Sequence, residues 1–146
     1  MPVRQDYILR LIEEMVRVLA AVLGLRKQGR HDEAIAAIES ASSSLAGIDL
    51  RLFEAIDPGV LAAQMGDAVR MRIVARLLLE RAEVERDRGN GEASAAWRGR
   101  AVRLGLEAIL AGGAVDKEVR AEALALAARD DLGARYRAAL DQLATA

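Results

Sequence analysis

The stretch GLRKQGRHDEAIAAIESA, residues 24–41, constrains the fold more than any other part of the chain. Gly29 stops one helix by taking the left-handed cap that side chains resist, and the apolar spacing of Ile35, Ile38, Ala41 and Leu45 starts another within a few residues. His31 or Asp32 opens that second helix. So short a turn makes the two helices antiparallel neighbours. Small Ala34 and Ala41 let the backbones approach, and the larger Ile38 fills the space between them.

Upstream, Ile8, Leu11, Ile12, Met15, Leu19, Val22 and Leu23 fall three and four residues apart, the mark of one buried helical face. Asp6 stands where it can cap the start of that helix. A second set, Leu9, Val16 and Ala20, lies off the stripe, so the helix is expected to be covered on two sides, by its own chain or by a partner. Glu13 and Arg17, four apart in the favourable order, decorate the remaining solvated strip.

From Gly47 to Gly66 the pattern weakens, and short helices are predicted near 50–55 and 60–65, the latter opened by Asp57 as a cap before Pro58. Asp67 opens a long helix whose apolar side carries Val69, Ile73, Leu77, Leu78, Ala82 and Val84, closed at Gly89 and Gly91. Its partner spans 92–110, with Ala93, Ala96, Trp97, Ala101, Leu104 and Ala108 inward. Gly99 and Gly105 each cost that helix roughly 1 kcal/mol relative to alanine, which points to close helix contact at both. Gly112 and Gly113 break the chain, Asp116 caps a segment through 129, and Asp131 opens a last one with Leu132, Tyr136, Ala139, Leu140 and Leu143 at helical spacing. Strand-like alternation is absent. The prediction is one all-α domain over 1–146: a hairpin at 6–46, connecting short helices at 47–66, a hairpin at 67–111 and a C-terminal helix pair at 115–144.

Gly29, His31, Ala34, Ile38 and Ala41 reproduce the offsets of the tetratricopeptide repeat: a turn glycine, an aromatic two later, then small, large and small residues down the second helix. The chain resembles that class. Gly89 starts a second copy, preceded by small Ala82 at the close-contact position, and the helix after it fits once one residue is deleted so that Trp97 takes the large position. The third pair carries no repeat signature, and the closing proline of the class is missing. Residues 5–13, with 18–20 and 23–25, are also similar to a group of small bacterial tetratricopeptide-like proteins, a group that brings no agreed activity to carry over. The resemblance implies antiparallel hairpins stacked as a short right-handed array, binding protein or peptide on a concave face built from the first helix of each hairpin. In that geometry the register of Gly29 turns Val16, Leu19, Leu23, Arg26 and Lys27 towards the groove, and the register of Gly89 adds Arg76, Leu79, Glu83 and Arg86. Some members of the class hold a peptide's terminal carboxylate with such basic residues, a role open to Arg76 with Arg26. The competing reading is a solvated face with local glutamate partners.

Composition and motifs narrow the chemistry. With no cysteine there is no disulfide, thiol nucleophile or cysteine metal site, and an intracellular setting is expected. The net charge of −1 with 29% charged residues leaves no electropositive footprint for nucleic acid or anionic lipid. Uncharged stretches such as 18–25 are far too short to span a membrane, and Asp6, Glu13 and Glu14 spoil a secretory signal, so the expected location is the cytoplasm. The chain holds no HExxH helix, no phosphate-binding loop and no GxSxG elbow. His31 is the only histidine; at a helix start its side chain diverges from Asp32 and Glu33, which suits capping or packing. Asn90 between Gly89 and Gly91 reads as a helix terminator, and Glu80, Glu83, Glu85 and Asp87 lack the histidines that a metal site in a helical bundle adds. Trp97 is expected in the core. No catalytic, cofactor or metal residue is assigned. The expected function is a non-catalytic protein–protein interaction module that takes a partner protein or peptide on the face of the first helices. The alternative is a structural homodimer whose helix 1 face is buried against its own copy.

Overall fold

The computed structural model describes residues 2–145. Its helices are α1 (Pro2–Lys27), α2 (His31–Ala41), α3 (Pro58–Met65), α4 (Ala68–Asp87), α5 (Gly91–Leu110), α6 (Lys117–Arg129) and α7 (Arg137–Thr145). A π-helical turn at Ser42–Ala46 extends α2, and 3₁₀ turns occupy Leu50–Glu54 and Ala134–Tyr136. No strand occurs among the described residues, and the chain is all-α. None of these helices is long and apolar enough to cross a membrane.

α1 begins at Pro2, so Asp6 lies inside the helix instead of capping it. Proline suits a first helical position, where its fixed φ is already helical and its missing N–H would have had no partner. At the other end Gly29 takes φ 70°. Its N–H donates to the Arg26 carbonyl at 3.0 Å while the Arg30 N–H reaches back to Leu25 at 2.9 Å, which satisfies the last carbonyls of α1. Gly89, with φ 81°, closes α4 through the same pair of bonds, from its own N–H to Arg86 and from Asn90 to Glu85.

The two turns also set a common register. α2 and α5 each start two residues after the glycine, and buried Ala34 and Ala41 have their counterparts in buried Ser94 and Ala101 at an unchanged offset. No deletion is therefore needed. Arg98 stands at the position of Ile38, and Trp97 fills a site of its own, 5% exposed, with the guanidiniums of Arg81 and Arg100 at 5.0 and 4.6 Å from its ring centre.

α4 is the centre of the molecule: it packs along α5 and also meets α1, α2, α3 and α6. The sequence pattern gave it one apolar side, yet Met71, Ile73, Val74, Ala75, Leu77, Leu78, Leu79, Ala82 and Val84 are all buried, because neighbours surround it. Buried Glu85 accepts hydrogen bonds from Arg81 and, at 2.8 Å, from Asn90. Burial pushes its carboxyl up, but those bonds outweigh the burial and hold it below the ordinary range.

Close helix contact is present at one of the two interior glycines. A Cβ on Gly105 would stand 2.7 Å from Val119 Cγ1 and 3.2 Å from Val115 Cγ1, so α6 seats on bare backbone there. At Gly99 the nearest atom is the far end of the flexible Arg103 side chain, and Ala96 faces solvent instead of the core. Gly105→Val is expected to lift α6 and to cost about 2 kcal/mol by overpacking. Urea denaturation checks this, and an unchanged midpoint would show that α6 is not held at that point.

Asp116 sits at the N-cap of α6 without capping it: its carboxylate instead accepts from Arg72 Nε of α4 at 2.8 Å. The last helix starts later than Asp131. Asp131 accepts the Gly133 N–H at 2.9 Å, and Tyr136 of the 3₁₀ turn that follows joins Ala139 and Leu143 of α7 in one apolar cluster with Val102, Leu106 and Ala123. Glu107, 5% exposed, clamps this second core, accepting from Tyr136 Oη at 2.7 Å and from Arg135 at 2.6 and 2.8 Å.

Candidate interaction surface

On a helix, residues 80, 83 and 87 share one face, and in α4 this places Glu80, Glu83 and Asp87 in a row beside the last turn of α1. Arg26 reaches across to all three. Its Nε donates to Asp87 Oδ2 at 2.7 Å, its Nη1 to Glu80 Oε2 at 3.1 Å, and its Nη2 lies 3.6 Å from Glu83 Oε2. Burial alone would lower the pKa of Arg26, but the bond to Asp87 and the charges of Glu80 and Glu83 raise it above its ordinary value. That same bond from Arg26 holds the Asp87 carboxyl below the usual carboxylate range.

The network continues towards α6. Arg76 pairs with Glu80 at 3.0 Å and approaches Glu118 at 3.9 Å, while Arg98 of α5 bridges Glu83 and Glu122, each at 2.9 Å. Arg86 pairs with Glu83 from the solvent side. Beside this network lies a cleft of about 710 Å³ whose walls include Arg86, Ser94, Arg98, Arg103, Glu122 and Arg129. Two of its guanidiniums are held by Glu83 and Glu122, and Arg103 donates to the Gly99 carbonyl at 3.2 Å.

The predicted strip therefore divides. Arg26, Arg76, Glu83 and Arg86 come together in the ion-pair network. Leu79 is 4% exposed and belongs to the core, not to an accessible groove. Val16 and Leu23 stand open on α1 at 56 and 44% exposure, with half-buried Leu19 between them and Lys27 exposed at the end of the helix. The expected second cover of α1 is not supplied by the chain itself: Leu9, at 56% exposure, and Ala20 face solvent alongside Val16.

The sequence pattern singled out Arg26 and Arg76, and named Glu80, Glu83 and Asp87 only as carboxylates short of a metal site; Glu118, and Arg98 with its partner Glu122, went unmarked. One signal was available: Glu80, Glu83 and Asp87 recur at helical spacing, and an acidic row on a helix this apolar calls for cations from a neighbour. His31, at the first position of α2, is half-buried, and its Nδ1 has no hydrogen-bond partner among the described residues. No group of three or more acidic or histidine side chains among the described residues is arranged to hold a metal ion.

Acid is expected to loosen the network. Asp87 and Glu107, each held down chiefly by an arginine hydrogen bond, and Glu85 have folded-state pKa values below their unfolded ones. Their contribution is complete above the unfolded pKa and is lost as pH falls through the folded one. Melting temperatures should hold level down to about pH 5 and decline below about pH 4; a level profile across that range would contradict the assignment. No family model matches the chain, and no curated protein and no solved structure matches it.

Proposed function

We propose that the chain is a non-catalytic interaction module, built as a short tetratricopeptide-like array of helical hairpins, that docks a partner protein on the α1 face. The observation that carries the reading is the open apolar stripe of α1. Of the exposed large apolar side chains among the described residues, Leu9, Val16 and Leu23 stand seven apart on this one helix, Tyr7 lies on it off the stripe, and Leu52, Val60 and Leu110 are scattered. A soluble fold keeps such a stripe where something covers it. The array reading is supported by the common register of the Gly29 and Gly89 turns, with small buried residues at matching positions of α2 and α5.

The arginines carry less of the binding than the resemblance implied. Arg26 already spends its donors on Glu80, Glu83 and Asp87, so a peptide carboxylate would have to displace bonds that exist there. Arg76 pairs with Glu80 through Nη2, and its Nη1, which has no hydrogen-bond partner among the described residues, is buried away from the surface. The test is quantitative capture on immobilised protein, with wild type compared against Val16→Glu with Leu23→Glu and, separately, against Arg76→Glu. The proposal expects the captured proteins, further copies of this chain included, to be lost with the α1 pair. An unchanged set on that pair would overturn it.

A further inference from the structure

We infer that the occupant of the α1 stripe is α1 of a second copy, running antiparallel across a twofold axis; the inference rests on the reading of that stripe as the docking surface. Leu9, Ile12, Val16, Leu19 and Leu23 alternate in steps of three and four, the a and d spacing of a coiled-coil seam. Beside the seam on one side run Ile8, Met15 and Val22, of which Met15 and Val22 are fully packed into the chain's own core. On the other side runs a solvent-exposed row, Asp6, Glu13, Ala20 and Lys27.

This asymmetry selects the partner. In a parallel pair, each exposed row would face the inward row of the other helix, which is apolar and already buried, so its charges would find nothing. In an antiparallel pair the two exposed rows meet each other. One register layers Ile12 on Leu23 and Val16 on Leu19 of the second copy, each contact repeated by the twofold axis, as an isologous interface requires. The same register sets Asp6 of each chain beside Lys27 of the other. Sliding the helices by one heptad in one direction opposes Glu13 to Glu13. Sliding them the other way sets Glu13 beside Lys27 but brings Arg26 opposite Val16 and keeps only the two Leu19–Leu23 layers, against the four apolar layers of the first register, in which Arg26 lies at the level of Leu9. Only the first register keeps both the full set of apolar layers and an opposite-charge pair; α2 and α4 take the inward side of α1, while its outer flank of Arg10, Glu14 and Arg17 is charged and stays in solvent.

Sedimentation velocity of the full chain over a dilution series tests the association. The wild type should sediment as a dimer of 15.7 kDa chains that dissociates on dilution. Val16→Glu, at a position too exposed to threaten the fold, should be monomeric with an unchanged circular dichroism spectrum. Lys27→Asp should weaken the dimer about tenfold, and adding Asp6→Lys should restore it. Because the chain has no cysteine, mixing Val16→Cys and Leu19→Cys proteins under oxidation reads the register. A 16–19 cross-link supports it, and a cross-link between Ile12→Cys and Val16→Cys proteins in its place overturns it. A monomeric wild type, or a Val16→Glu protein that still dimerises, overturns the inference. If the wild type is monomeric yet capture still depends on Val16 and Leu23, the docking surface stands and only the identity of its occupant fails.

Discussion

Leu77→Ala is expected to remove about 3–4 kcal/mol of stability, the range for a fully buried leucine whose surroundings cannot collapse into the space. Leu77 has no exposed surface, and it lies on the helix that α1, α2, α3, α5 and α6 all touch. A void there opens inside the one element that every neighbour uses as a wall, so relaxation of one neighbour strains another. For a domain of this size the loss corresponds to a fall of roughly 10 °C in melting temperature. Val60→Ala, at a side chain that is 52% exposed, is the control and should stay within about 0.5 kcal/mol. Differential scanning calorimetry on the two variants checks the contrast; similar losses in both would mean that α4 is not the packing centre.

Arg26→Met is the second large effect, expected to cost about 2–3 kcal/mol, near the lower end for breaking a buried ion-pair network. The reason for the lower end is specific. Glu80 keeps Arg76, and Glu83 keeps Arg86 and Arg98, so the loss falls mainly on Asp87, whose hydrogen bonds come from Arg26. Methionine preserves much of the apolar stem, which isolates the charge from the packing. Two readouts separate this account from general damage. Asp87→Asn added to Arg26→Met should recover part of the loss, because it removes the uncompensated charge. The acid limb of the stability profile should also shrink in Arg26→Met, since Asp87 then titrates nearer its ordinary value. Additive losses and an unchanged acid limb would both count against the network.

Local signals in the sequence carried the turns and the helices well. Gly29 and Gly89 stop helices in the structure, Asp57 and Asp67 accept the N–H groups of Gly59 and Val69 at the starts of α3 and α4, and residues 50–54 and 58–65 are the short helices that were expected. Each of these depends on residues within a turn of one another, which is what a sequence pattern can report. What it missed is tertiary. Asp116 looks like an N-cap, but Arg72 outcompetes the backbone for its carboxylate. Ala96 fits the inward spacing of α5 yet faces solvent, and alanine carries too little apolar surface to enforce a side. The carboxylates of α4 depend on arginines from α1 and α5 as well as from α4 itself; the helical spacing of Glu80, Glu83 and Asp87 calls for cations, but it does not say which distant residues supply them.

The candidate surface was legible to a similar degree. The second apolar set of α1 was visible as Leu9, Val16 and Ala20, and the structure places it in the open. The groove residues on α4 were chosen by repeat register alone, which placed Leu79 in the strip although it is buried. The competing reading gave the arginines local glutamate partners, and Arg76 does pair with Glu80 one turn away, but Arg26 and Arg76 are largely buried instead of solvated and Arg26 reaches its carboxylates across to α4.

Carbene footprinting of the full chain along a dilution series measures most directly which surface is covered when the protein associates. The predicted result is that labelling of Leu9, Val16 and Leu23 falls as concentration rises, while the arginine-lined cleft around Arg98 and Arg103 is labelled equally throughout. Constant labelling of α1 with protection of that cleft would contradict it.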